Sequence, residues 1–186
     1  MIRLLPIVIR RTLYIVSLLP SLIFAIPAGA DKARTLDWLE LLPKADRAAM
    51  EKLPETMAEM NRQLLEQGLD ELSDDIEMPA VLSSTAVRGE LDGEYVRVPG
   101  FLVPLDINER GEATSFFLVP YFGACIHVPP PPPNQMIYVT FSGGMPPDAM
   151  YDPYWITGPL RIETHENDLG VATYAIEADQ VSLYRD

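Results

Sequence analysis

The sequence predicts an α+β protein: N-terminal helices followed by a small OB-like β-barrel of five or six strands. Three observations predict it. Residues 35–68 carry leucines and methionines at helical spacing. From Leu91 onward, β-rich runs alternate with clusters of Gly, Pro, Asn and Asp. Two of the longest runs are broken by a glycine beside a proline, as coiled barrel strands are. A split β-sandwich is the alternative arrangement.

Residues 1–30 read as a secretory leader. Arg3, Arg10 and Arg11 form its positive end, and Leu13–Ala25 is an apolar stretch. Ala28-Gly29-Ala30 is a small-x-small cleavage site. The apolar stretch is shorter than the roughly 20 residues a membrane-spanning helix needs. Expected, then, is a periplasmic protein released by cleavage, through the general or the twin-arginine route. Losing the leader removes three arginines and no acid, so the formal charge moves from −13 to −16. That excludes nucleic acid and anionic membrane surfaces, which need clustered Lys and Arg, and favours cations and basic partners.

The helical segment spans 31–69. Thr35 is its expected N-cap, with Leu36, Leu39 and Leu42 on one stripe. Pro43 and Pro54 are expected to divide it into pieces, because proline fits best in the first turn of a helix. Met57, Met60 and Leu64 continue the stripe as packing residues, and Gly68 closes it. Residues 70–90 form an acidic linker. Five acids crowd Asp70–Glu77 without the spacing of a calcium loop.

The barrel is expected over 91–186. Leu91–Glu94 turns into a long strand, Tyr95–Leu105, with a break at Pro99-Gly100. Asn108–Glu112 turns the chain back into Thr114–Val119. Gln135–Phe141 is a third strand and Pro153–Ile162 a fourth, broken at Gly158-Pro159. Thr164–Asp168 is a polar tip. Val171–Ile176 is a fifth strand, and Val181–Tyr184 is placed to close the sheet.

Between the second and third strands lies the chemically richest stretch. It holds the only cysteine, Cys125, then His127, then five consecutive prolines, Pro129–Pro133. Residues two apart on an extended chain share a face, so a thiolate and an imidazole stand side by side. Those are zinc or copper donors, zinc first. His165, the second histidine, or a nearby acid (Glu163, Glu166, Asp168) would complete the shell. The bland alternative is a buried thiol beside a hydrogen-bonded loop histidine. A catalytic thiol with His127 as base and Asn134 as orienter leaves little room for substrate, which points to a non-enzymatic protein. One cysteine forms no internal disulfide.

The prolines enforce a stiff polyproline II rod without N–H donors. It is either a brace that aims Cys125 and His127 or a docking surface. Pro129, Pro130, Pro131, Pro132 and Pro133, with Asn134 and Tyr121, form the candidate docking set. Tyr121, Phe122, Tyr151, Tyr154 and Trp155 are candidates to pack on the rod, with ordinary core as the alternative. No phosphate loop, nucleophile elbow or Cys-x-x-Cys accompanies them.

Gly123-x-Cys125-x-His127-Val128, the prolines and Asn134-Gln135 together resemble the signature of an exported bacterial family, the domain of unknown function DUF3299. The resemblance runs from the Trp38 region to the C-terminus. It implies a small exported domain and supplies no activity. It also implies a membrane-complex partner of the ABC-transporter type. The expected function is therefore periplasmic transition-metal binding, with a structural or adaptor module as the alternative.

Overall fold

The computed structural model describes residues 33–67, 78–124 and 131–185. Seven strands form one sheet: β1 (Arg34–Thr35), β2 (Tyr95–Ile107), β3 (Ala113–Val119), β4 (Ile137–Met145), β5 (Pro153–Asn167), β6 (Gly170–Glu177) and β7 (Gln180–Leu183). Five of them close into a barrel in the order β2-β3-β4-β6-β5, with β5 pairing back onto β2. Every neighbouring pair in this ring is antiparallel except β4–β6.

The two glycine–proline breaks are where long strands change partners. The first half of β2 pairs with β5, and from Phe101 onward it pairs with β3. At this crossing a Cβ on Gly100 would lie 2.7 Å from the Val119 carbonyl oxygen. β5 makes the matching change at Gly158, whose missing side chain lets the Glu177 carbonyl approach. Beyond it, Leu160 pairs with Ile176 of β6. Only a residue without Cβ fits such close backbone approaches. β5 also runs on through Thr164–Asn167, past a bulge between Ile162 and His165. The expected polar tip is thus strand, and the turn shrinks to two residues.

Alternation sorts the side chains. Val96, Val98, Leu102, Phe116, Leu118, Ile137, Val139, Ile156, Leu160, Tyr174 and Ile176 fill the interior with almost no exposure. Burying each large apolar side chain contributes about 1.5–3 kcal/mol. A second apolar layer lies on the outer face: Phe101, Val103 and Leu105 of β2, Phe117 and Val119 of β3, and Tyr138 of β4, with Met136 and Ala124. β3 is therefore buried on both faces.

The N-terminal segment departs from expectation. It holds one α-helix, α1 (Lys44–Gln67), and one 3-10 turn (Trp38–Leu41), not a series of helices. Pro54 sits inside α1. That helix is largely solvent-facing, so water can satisfy the carbonyl that proline leaves unpaired. Thr35 belongs to β1, and the N-cap is Asp37. Asp37 Oδ1 accepts from Leu39 N at 2.9 Å, and Glu40 Oε2 accepts from Asp37 N at 3.0 Å, completing a capping box. The segment is no separate module, because Leu36 and Leu41 are sealed into the barrel core. No helix among the described residues is long and apolar enough to cross a membrane.

Candidate functional site

The described part of the proline loop is tied inward. Pro131 and Pro132 are buried, and Pro133–Gln135 form a 3-10 turn. Asn134 is fully buried. Its Nδ2 donates to Asp46 Oδ2 at 2.8 Å and to the Ala86 carbonyl at 2.9 Å. Ser84 Oγ donates to the same Asp46 oxygen at 2.5 Å. Gln135 Nε2 donates to the Trp38 carbonyl at 2.8 Å, and Trp38 Nε1 donates to the Pro99 carbonyl at 2.7 Å. Asn134 and Gln135 thus bolt the loop exit to the start of α1, the 84–86 segment and the 3-10 turn. A buried amide needs such partners. Asn134 cannot touch a docking partner while it is sealed in this network.

Tyr174 forms a second tie. Its hydroxyl donates to the Leu41 carbonyl at 2.9 Å and accepts from Arg88 N at 2.7 Å. Burial pushes its pKa up, opposed by the Arg88 N–H.

At the loop entry the chain faces outward. Gly123 takes φ +78°, the left-handed region that glycine adopts freely, and turns the chain after β3. Tyr121 and Phe122 are 50% and 56% exposed, and Tyr151 is 66% exposed. Phe122 meets Phe101 edge-on at 5.8 Å between centroids and lies 6.2 Å from Tyr151. Asp148 and Asp152 are exposed beside Tyr151. Burial raises the Tyr154 pKa, and both aspartates add to the effect. Trp155 is occupied elsewhere, under Arg97 at 4.6 Å and 5.0 Å from Tyr184.

Cys125, His127, Pro129 and Pro130 lie outside the described residues. His165 projects from β5 on the outer face, stacked on Tyr138 at 3.8 Å. Its Nε2 is 3.1 Å from Glu163 Oε1. No group of three or more His, Cys, Asp or Glu placed to hold a metal ion occurs among the described residues. Sequence reasoning singled out Tyr121, Phe122 and Tyr151 but not Asp46, Ser84 or Tyr174 as their neighbours' anchors. The one available signal was a pair of amide side chains directly after a donor-free rod.

A family model described as "Protein of unknown function (DUF3299)" matches residues 38–183. The chain belongs to the DUF3299 family. The match begins at Trp38, so it takes in the 3-10 turn and α1 together with the barrel. A solved structure similar to this DUF3299 chain is that of a DUF3299 family protein from Pseudomonas aeruginosa PAO1. The two are 32% identical with a TM-score of 0.61, over 83% of this chain and 98% of the other. Among curated proteins, none matches this chain.

Proposed function

We propose that this DUF3299 protein is an exported, non-enzymatic docking module. Its exposed aromatic patch, Phe122 between Phe101 and Tyr151 with Tyr121 adjacent in the chain, receives an apolar segment flanked by Lys or Arg in a membrane-complex partner. The observation that carries the proposal is two neighbouring aromatic side chains, Phe122 and Tyr151, left more than half exposed beside a braced loop, with half-exposed Tyr121 next to Phe122 in the chain. Aromatic clusters of this kind anchor interfaces. Asp148 and Asp152 at the rim, and a formal charge of −13, select a basic flank. The ring order and the ring's one parallel pair, β4–β6, support an OB-type barrel, whose outer face on its second and third strands is the usual ligand side. Here those strands are β3 and β4.

The test is a photo-crosslinking amino acid at Tyr121 or Tyr151 in the living cell. One discrete adduct is expected at both sites, absent with the same probe at exposed Glu166. It should disappear in an Asp148→Lys/Asp152→Lys background. Equal labelling at all three positions refutes docking.

A metal role is the second reading. It rests on Cys125-x-His127 and on the imidazole–carboxylate pair His165–Glu163. It takes zinc, or copper, as the cargo. Titrating the purified protein with each metal tests it: a rise in melting temperature that vanishes in Cys125→Ala/His127→Ala supports it. Identical curves for the two proteins end it.

A further inference from the structure

Among the described residues the sheet ends in two strands, β1 and β7, and their edges differ. β1 is two residues long, and its Arg34 is held by Glu40 and Glu94. Shortness and charge are how natural sheets keep an edge from pairing. β7 is Gln180-Val181-Ser182-Leu183, with no charge and no proline. It pairs with β5 on one side and, among the described residues, with nothing on the other. Leu183 is 41% exposed there.

The ladder fixes which backbone groups are open. Tyr184 N donates to the Pro153 carbonyl at 2.9 Å, in register with Tyr154↔Leu183 through Thr157↔Gln180. Hydrogen-bonded pairs alternate along an antiparallel ladder, so Gln180, Ser182 and Tyr184 turn their backbone groups toward β5. Val181 and Leu183 turn theirs outward. That pattern is complementary to itself. With a second copy antiparallel and the two-fold axis at Ser182, Val181 comes opposite Leu183 of the second copy, and the reverse. Each such pair exchanges two backbone hydrogen bonds, four in all. Arg185, which has no ion pair among the described residues, comes opposite exposed Asp179 of the second copy, near Glu177. The Tyr95 hydroxyl bonds Asp179 and leaves acceptor positions on that carboxylate. Other axes fit less well. At Val181, Leu183 would face Asp179, whose N–H already bonds the Thr157 carbonyl. At Leu183, Arg185 would move away from the acids.

We propose that the β7 edge is a self-association surface. Two copies of this chain join β7 to β7 about a two-fold axis at Ser182, and their sheets run on across the contact. A strand edge alone buries less than the roughly 1,200 Å² of a standard interface, so the dimer is weak and concentration-dependent. The surface shares no residue with the aromatic patch and stands independently of the docking proposal.

The experiment traps the pair in the full protein, with Cys125→Ala removing the native thiol. The two Ser182 residues face each other as a non-hydrogen-bonded pair, about 4.5 Å between Cα atoms, a separation a disulfide spans. Under mild oxidation Ser182→Cys is expected to give a disulfide-linked dimer, and the same change at exposed Glu166 is not. Leu183→Pro removes an outward N–H and leaves the β5 ladder whole, as proline does at an edge. Added to Ser182→Cys it should abolish the dimer, with circular dichroism confirming the fold. Arg185→Asp should lower the yield, and Asp179→Arg added to it should restore it. If Leu183→Pro unfolds, this charge exchange decides. Sedimentation of the unaltered protein should show a dimer fraction that grows with concentration. The proposal is overturned if Ser182→Cys cross-links no faster than Glu166→Cys, if folded Leu183→Pro cross-links like its parent, if Arg185→Asp leaves the yield unchanged, or if the unaltered protein stays monomeric at every concentration.

Discussion

Replacing Tyr174 with phenylalanine tests how the N-terminal segment is fixed to the barrel. The ring stays, so core packing is kept and only the hydroxyl goes. Two groups lose their partner at once, the Leu41 carbonyl and the Arg88 N–H. Leu41 is fully buried, and Tyr174 has no exposure. Each orphaned group costs about 1–3 kcal/mol, so about 2–6 kcal/mol of stability should be lost. At about 2–4 °C per kcal/mol for a domain of this size, the melting temperature should fall by at least about 4 °C. Urea denaturation is the assay: the midpoint should drop with an unchanged slope, since the unfolding surface is the same. The variant also changes the alkaline limb. Burial raises the phenol pKa, so its contribution is fully present below about pH 10, the ordinary tyrosine value. It is lost as pH climbs through the raised value in the folded state. Tyr174→Phe should flatten that decline, with Tyr95 and Tyr154, also raised, leaving a remainder. A stability loss below about 0.5 kcal/mol, the range of an ordinary surface substitution, would refute the argument.

Three further outcomes follow from the same geometry. Gly100→Ala forces a Cβ to 2.7 Å from the Val119 carbonyl and 2.9 Å from Leu118 Cδ1. It should cost about 1–3 kcal/mol in urea, while Gly89→Ala, with nothing within 4 Å, should cost less. Asn134→Asp sets a second carboxylate against Asp46 in a buried position. Neutral-pH stability should fall by about 3 kcal/mol or more and recover in part on acidification, as chemical denaturation at several pH values will show. The Glu40 carboxyl is held below its ordinary pKa, first by the Asp37 N–H and then by Arg34 and Arg88. Its contribution is present above the ordinary value and lost as pH falls through the lowered one. Glu40→Gln should therefore flatten the acid limb of melting temperature against pH.

The strands were legible because they obey local rules. Alternation, turn residues and the two glycine breaks located all five barrel strands within a few residues. β1 was not, because two residues gain strand geometry only by pairing with Val96 and Arg97. The continuity of α1 through Pro54 was hidden as well, since it depends on an exposed position that sequence does not report. At the site, Tyr121, Phe122, Tyr151, Tyr154 and Trp155 were grouped as rod-packing or core residues, yet Tyr121, Phe122 and Tyr151 are half exposed or more and Trp155 lies under Arg97. Asn134 looked like a loop residue available to partners. Its true neighbours are 88 and 48 residues away in the chain, a distance no local pattern spans.

The parallel pairing of β4 with β6 governs when this protein can acquire its shape. β6 is the last ring strand to be made, yet it sits between β4 and β5. Until Gly170–Glu177 has emerged, those two neighbours carry open ladders, and the Phe116–Val119 run lacks a finished shell. Chains that stop before residue 170 should therefore be sticky fragments rather than smaller folded versions. Closure of the ring waits for the C-terminal end of the chain.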